Sequence, residues 1–236
     1  MNRLGAVLRL ELRLQRRYKF VHAAVFSGVL WLALLLPMSP GLRAAAKPYV
    51  LLGDLTIVGF FFIAGAVFFE KGERTIDAVV ASPLRFGEYL AAKVIGLTAL
   101  SVLIAVEVAT ATSGVGYHLP LLLAGAVLGT VLMLLIGFVS ALPFTSVSDW
   151  FMPAVFPIAV FNLPILGYSG LWDTDWLYLV PTYGPLLFFG AAFDQLTLET
   201  WQVIYGLGYP VLAAAGLWLL ARRWFDKYLI AKTGDA

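Results

Sequence analysis

Six apolar stretches, at about 20–38, 49–69, 94–113, 120–142, 150–168 and 201–221, decide what this chain can become. Each is long enough to cross a hydrocarbon core of about 30 Å as a helix, which takes about 20 residues. Backbone groups facing lipid find no water, so a span must satisfy them within a helix or a closed barrel. A barrel would alternate apolar and polar residues in strands of about ten, and no such alternation occurs. The sequence therefore predicts an all-α integral membrane protein with six transmembrane helices. Composition agrees: 61% of the 236 residues are hydrophobic and 13% charged, against about 45–50% and 25% in soluble domains. A soluble fold and a disordered chain are excluded, and no nucleic-acid partner is expected.

Orientation follows from the Lys and Arg count in the loops. Arg3, Arg9, Arg13, Arg16, Arg17 and Lys19 precede the first span; Lys71, Arg74, Arg85 and Lys93 lie in the 70–93 loop. Arg222, Arg223, Lys227 and Lys232 follow the last span, whereas the opposite side has only Arg43 and Lys47. Both termini are thus expected in the cytoplasm, with the chain multi-pass in the cell membrane. An apolar piece from Tyr183 to Phe193 is too short to span and is expected at the outer interface, as a re-entrant or helical hairpin before the last span. Trp172, Trp176, Tyr178, Tyr183 and Trp201 are placed for an aromatic belt at that side.

Residues 3–19 form a basic amphipathic helix: Leu4, Val7, Leu8, Leu14 and Tyr18 share one arc, and Arg9, Arg13 and Arg16 lie opposite. Such a helix lies in the membrane interface, its arginines towards anionic headgroups or a protein partner. Glu11 projects from the apolar arc, where a carboxylate needs a partner, and a nearby arginine is the expected one. In the 70–93 loop, Glu73, Thr75 and Asp77 sit around a helix start, Ser82-Pro83 stops that helix, and the residues to Lys93 begin the next.

The string Glu70-Lys71-Gly72-Glu73-Arg74-Thr75, then Ala81-Ser82-Pro83-Leu84-Arg85 and Glu88-Tyr89-Leu90-Ala91-Ala92-Lys93, resembles the loop signature of ABC-2 type permeases. The resemblance spans the whole chain and is nearest to the short permeases of fluoroquinolone export. Leu10-Glu11-Leu12-Arg13-Leu14-Gln15-Arg16-Arg17-Tyr18, Gly170-Leu171-Trp172, Pro181-Thr182, Ala191-Ala192-Phe193 and Ala221-Arg222-Arg223-Trp224-Phe225-Asp226 carry it. It implies one permease domain over 1–236 that pairs with a second copy or a homologue and couples to a separate ATP-binding subunit. Glu70, Gly72, Glu73, Arg74, Thr75, Ser82, Pro83, Leu84 and Arg85 would make the coupling element, with Arg9, Glu11, Arg13 and Arg16 on the interfacial helix. ATP and Mg would be bound by the partner. Outward transport of a lipophilic drug-like or lipid-like cargo is the implied function.

The residues of this chain supply no hydrolytic machinery that would compete with that reading. There is no Gly-x-x-x-x-Gly-Lys-Ser/Thr to cradle phosphates, no cysteine, and only two histidines, so neither ATP hydrolysis nor a zinc site is expected here. Gly167-Tyr168-Ser169-Gly170 mimics an intramembrane serine-protease motif, but no histidine base follows Ser169, and a helix-ending glycine turn is the better account.

Charge within a span normally faces an interior or a cavity. Glu107, in the outer half of the third span, reads either as a cation or proton contact in a path or as a helix-packing glutamate that is protonated or hydrogen-bonded, with Thr110 and Thr112 nearby. Asp54 is expected to reach the outer interface and Asp149 to cap the fifth span. Phe60, Phe61 and Phe156, with Asn162 before Pro164, are candidates for a transport path on the second and fifth spans. An ATP-independent carrier or channel working through Glu107 is the alternative.

Overall fold

A computed structural model describes residues 3–76, 84–172 and 174–230. Every described element is helical. The amphipathic α1 (Arg3–Arg17) meets α2 (Phe20–Leu35) at a bend of 63°. Lys19 makes that bend in the left-handed region at φ 60, where a side chain is tolerated only at a turn. Next comes one 33-residue rod, Pro40–Gly72. It runs through α3 (Pro40–Asp54), a π-helical segment (Leu55–Phe61) and α4 (Phe62–Gly72). Three spanning elements follow: α5 (Phe86–Ser113), α6 (Leu119–Ala141), and α7 (Val147–Asn162) continued after a break by α8 (Pro164–Tyr168). A 3-10 turn (Asp175–Leu179) and short α9 (Tyr183–Ala192) precede α10 (Thr200–Phe225), which ends in a π turn (Asp226–Ile230). Among the described residues five helices are long and apolar enough to span, or six if the bent α1–α2 pair is one span, as the apolar stretches predict.

The core forms around α6, which packs against the π segment, α4, α5, α9 and α10. Close approach is its device: a Cβ at Gly137 would stand 2.5 Å from the Phe60 carbonyl oxygen, and one at Gly59 2.6 Å from Met133 Cβ. Spans draw no hydrophobic drive from apolar tails around them, so such backbone contact supplies dispersion that larger residues would forfeit. α7 lies at the edge instead, with only Trp150 and Ala154 buried along its sixteen residues.

Several local expectations change. The loop expected at 39–48 is already helix from Pro40, so Arg43 and Lys47 are not loop bases. Arg43 caps α2, donating to the carbonyls of Leu35 (3.0 Å), Leu36 (2.7 Å) and Met38 (3.0 Å). Lys47 is buried and donates to Ser113 Oγ at 2.5 Å. The short helix expected before the last span is α9, and all ten of its residues are buried against the bundle, Tyr183 included. Asp54 does not reach the interface: it is buried and accepts from Ser27 Oγ at 2.9 Å and Trp31 Nε1 at 3.1 Å. The cap of α7 is Ser146, which accepts from the Asp149 amide at 3.2 Å and donates to the Asp149 carboxylate at 2.7 Å.

Candidate functional site

At the end of the bundle where α1, the α4–α5 connection and the end of α10 gather, the sequence places one acid on α1, one on α4 and one base on α5. Glu11 follows from α1's amphipathic period, which turns positions 11 and 15 to the bundle and leaves Arg9, Arg13 and Arg16 exposed. Glu70 is in the last turn of α4 and Lys93 in the second turn of α5. The three meet: Lys93 Nζ lies 2.5 Å from Glu70 Oε1 and 3.1 Å from Glu11 Oε2, with side-chain exposures of 1%, 3% and 7% in the order Lys93, Glu70, Glu11. The other Glu70 oxygen accepts from Tyr89 OH at 2.5 Å. Phe138 and Phe225 pack on the Tyr89 ring and close the cluster from the α6 and α10 side. Gln15 completes the α1 contact against Gly96, where a Cβ would fall 2.5 Å from Gln15 Nε2. Glu11 therefore finds a lysine on α5, not an arginine of its own helix.

A second tier sits above this one. Glu73 accepts from Arg17 at 2.9 Å and from Tyr18 OH at 2.9 Å, tying the α1–α2 bend to the loop. Burial and the bond to Glu73 push the Tyr18 phenol up from its ordinary 10.0 to about 12. Arg74 turns the chain at φ 54, and Thr75 Oγ1 returns to the Glu70 carbonyl at 3.3 Å. Lys71 Nζ donates to the carbonyls of Ala141 (3.0 Å), Leu142 (2.8 Å) and Phe144 (2.7 Å), fastening the end of α6 to α4. At the far side of the connection, Leu84 is half-buried, Arg85 is exposed, and its amide donates to Glu88 at 3.0 Å.

Of the loop residues read from the sequence, Gly72, Glu73, Arg74 and Arg85 thus lie on the surface, and Glu70 lies beneath it as the anchor. Ser82 and Pro83 fall outside the described residues. Tyr89 and Lys93 carry as much of the arrangement as any of these. The signal for them is the period: Tyr89 and Lys93 are four apart, so they share one face of α5.

Among the aromatic candidates, Phe60 is fully buried and stacks on Trp150 with centroids 5.5 Å apart; Phe61 packs edge-on against the same indole. Phe156 projects outward from α7, 74% exposed. Asn162 closes α7, its amide donating to the Ile158 carbonyl at 2.8 Å and to Thr56 of the π segment at 3.3 Å. Thr110 bonds to Tyr117 OH and Thr112 to the Val108 carbonyl, so neither serves Glu107. Ser169 donates to the Leu166 carbonyl at 3.0 Å, and α8 ends in a turn at Gly170 with φ 74, the glycine stop that the sequence indicates.

The cluster offers no reacting group to a substrate; it is a fastening. An ammonium held between two carboxylates in a medium of low permittivity fixes direction as well as distance, so the cluster ties α1, α4 and α5 to one another. The chain as a whole can be set beside known proteins. The model of the fluoroquinolones export permease protein family matches residues 2–233. The chain belongs to this family. It is 59% identical over 235 residues to the fluoroquinolones export permease proteins of two Mycobacterium tuberculosis strains, CDC 1551 / Oshkosh and ATCC 25618 / H37Rv, covering 99% of this chain and of each relative. Membership makes the chain a membrane permease of an export system, a transporter rather than an enzyme.

Proposed function

We propose that the chain is the membrane-spanning subunit of an ATP-driven ABC-2 type exporter, coupled through the α4–α5 connection to a separate ATP-binding subunit. The observation that carries this reading is the buried Glu11–Lys93–Glu70 cluster beneath the exposed Gly72, Glu73, Arg74 and Arg85. A push on a loosely held loop would be absorbed in the loop. Here it passes through Glu73 to the α1–α2 bend and through Glu70 into α5, so two spans respond to one contact. ATP and Mg would sit on the partner, because this sequence has no phosphate-cradling loop.

The Lys and Arg distribution supports a multi-pass orientation with both termini and this end of the bundle in the cytoplasm. A second copy, identical or homologous, would complete the path. The sparsely buried α7, with Phe151, Met152 and Phe156 at 54%, 76% and 74% exposure, has an apolar face to give it. The cargo is a lipophilic drug-like molecule moved outward, in keeping with the fluoroquinolones named for its relatives.

The test is affinity capture of the full-length chain in mild detergent, with mass spectrometry of what copurifies. A stoichiometric soluble protein bearing a Walker A loop is expected, and charge reversal at Glu73 and Arg85 should release it or abolish its ATPase stimulation. Unchanged capture and stimulation in that double variant would overturn the assignment of the loop.

A further inference from the structure

We infer that Glu107 is a cation-recognition site within the membrane that takes lipophilic organic cations; the inference rests on the exporter reading and names the class of its cargo. Glu107 stands six residues before Ser113, the last residue of α5, and so about 9 Å in from that end. Its side chain lies on the outer face of the bundle and is exposed. It rests against α2 at the buried Gly28, where a Cβ would come within 3.0 Å of Glu107 Oε2. Glycine thus leaves a notch that the carboxylate fills. Among the described residues Glu107 has no hydrogen bond and no ion pair.

An ionised carboxylate at such a depth is strongly disfavoured without a partner. The chain cannot supply one. It has no Lys or Arg at 20–42, 48–70 or 94–221. At the near end, Arg43 is committed to three carbonyls and Lys47 to Ser113 and the Phe193 ring. His118 is paired with Asp194 at 2.9 Å. His22 lies six residues before Gly28 on α2, about 9 Å away along the axis. An identical second copy brings the same inventory at the same depths, so it has no fixed cation for this position either.

The partner that remains is a mobile one, and the surroundings say what kind. Leu103, one turn back on α5, is 66% exposed; Val25 and Val29, on either side of Gly28, are 57% and 54% exposed. A metal ion would need several oxygen ligands, and Glu107 stands alone. An ammonium or phosphonium centre with an apolar body matches both the charge and its aliphatic walls.

The chain in lipid nanodiscs, assayed by equilibrium dialysis with tetraphenylphosphonium and tetraphenylborate, isolates charge at constant shape. The phosphonium should bind better, and Glu107→Gln should weaken it about tenfold while leaving the borate unchanged. Equal phosphonium binding by parent and E107Q overturns the inference. The chain has no cysteine, so the single thiol of a Leu103→Cys variant reports what covers this face. Protection of that thiol from maleimide by phosphonium supports the site, whereas oxidative cross-linking of two copies through it in native membranes overturns it. Neither readout needs ATP. Failure of the exporter reading would appear separately, as lost ATPase capture with phosphonium binding intact.

Discussion

Removing the Lys93 ammonium is the perturbation whose outcome the structure constrains most tightly. Its contacts of 2.5 and 3.1 Å are each worth about 5–7 kcal/mol at an effective permittivity of about 20. The two bonded oxygens can lie no farther apart than those two contacts end to end, so the carboxylates repel by at least about 3 kcal/mol on the same scale. Taking three charges from water costs several kcal/mol each and cancels most of the attraction. What survives is the asymmetry: Lys93→Met leaves two buried carboxylates with repulsion and no cation. Loss of one partner from such a cluster costs about 3–5 kcal/mol, which for a chain of this length lowers the midpoint by roughly 6–20 °C.

Because the chain lacks cysteine, the site of failure can be read directly. Gln15→Cys, at a position 2% exposed in the α1–α5 contact, should label slowly with maleimide in the otherwise native chain. It should label about tenfold faster or more once Lys93→Met is added, since each 1.4 kcal/mol lost from docking multiplies the open population about tenfold. The triple variant Glu11→Gln, Glu70→Gln, Lys93→Met keeps the shapes and removes the charges, so it should recover most of the midpoint. A K93M protein that melts with the parent and leaves the Gln15→Cys thiol protected would refute the reasoning. So would a triple variant as unstable as the single one, because the loss would then be packing rather than charge.

Two further outcomes follow from close contacts elsewhere in the bundle. Gly137→Ala should destabilise by about 1–3 kcal/mol, because the added methyl meets the Phe60 carbonyl oxygen at 2.5 Å and Cα at 2.9 Å, backbone atoms that cannot turn aside. Thermal unfolding of the two proteins in one detergent checks it, and equal midpoints would mean that α6 and the π segment stand farther apart. The Tyr18 phenol, raised from 10.0 to about 12 by burial and its bond to Glu73, stabilises the fold in full below its unfolded value. That contribution is lost as pH climbs through about 12. The stability gap between the parent and Tyr18→Phe should therefore be constant up to about pH 10 and close above it, as alkaline unfolding scans would show; a gap that closes near neutrality would rule the bond out.

Which parts of this molecule could be read before folding depends on whether the cause was local. Span number was legible because hydropathy over 20 residues is a local property that the bilayer enforces. The α1–α2 bend was half legible: the basic amphipathic run showed a helix lying apart from the first span, but Lys19 in the left-handed region leaves no mark in composition. Glu11 shows the limit more sharply. Its place on an apolar arc announced that it needed a partner, and local reasoning offered a neighbouring arginine; the true partner, Lys93, is set by the packing of α1 across α5. Likewise, Arg43 and Lys47 looked like loop bases because loops and helix starts share composition, and only their distant partners distinguish them, the carbonyls of Leu35, Leu36 and Met38 for Arg43 and Ser113 for Lys47. Glu107 runs the other way. Its oddity was visible as an acid in an apolar run, yet whether it faced inward or outward could not be decided from α5, whose apolar residues run all round. Tertiary packing decided it, by turning Ser101, Ile104, Ala105, Val108 and Ala109 into the bundle and leaving position 107 on the outside. Glu70 and Lys93 obey the same rule in reverse. Packing turned them inward, and being charged they are held there by each other, by Glu11 and by the Tyr89 hydroxyl, so the element that would receive force from a partner is fixed by the few residues the bilayer disfavours most.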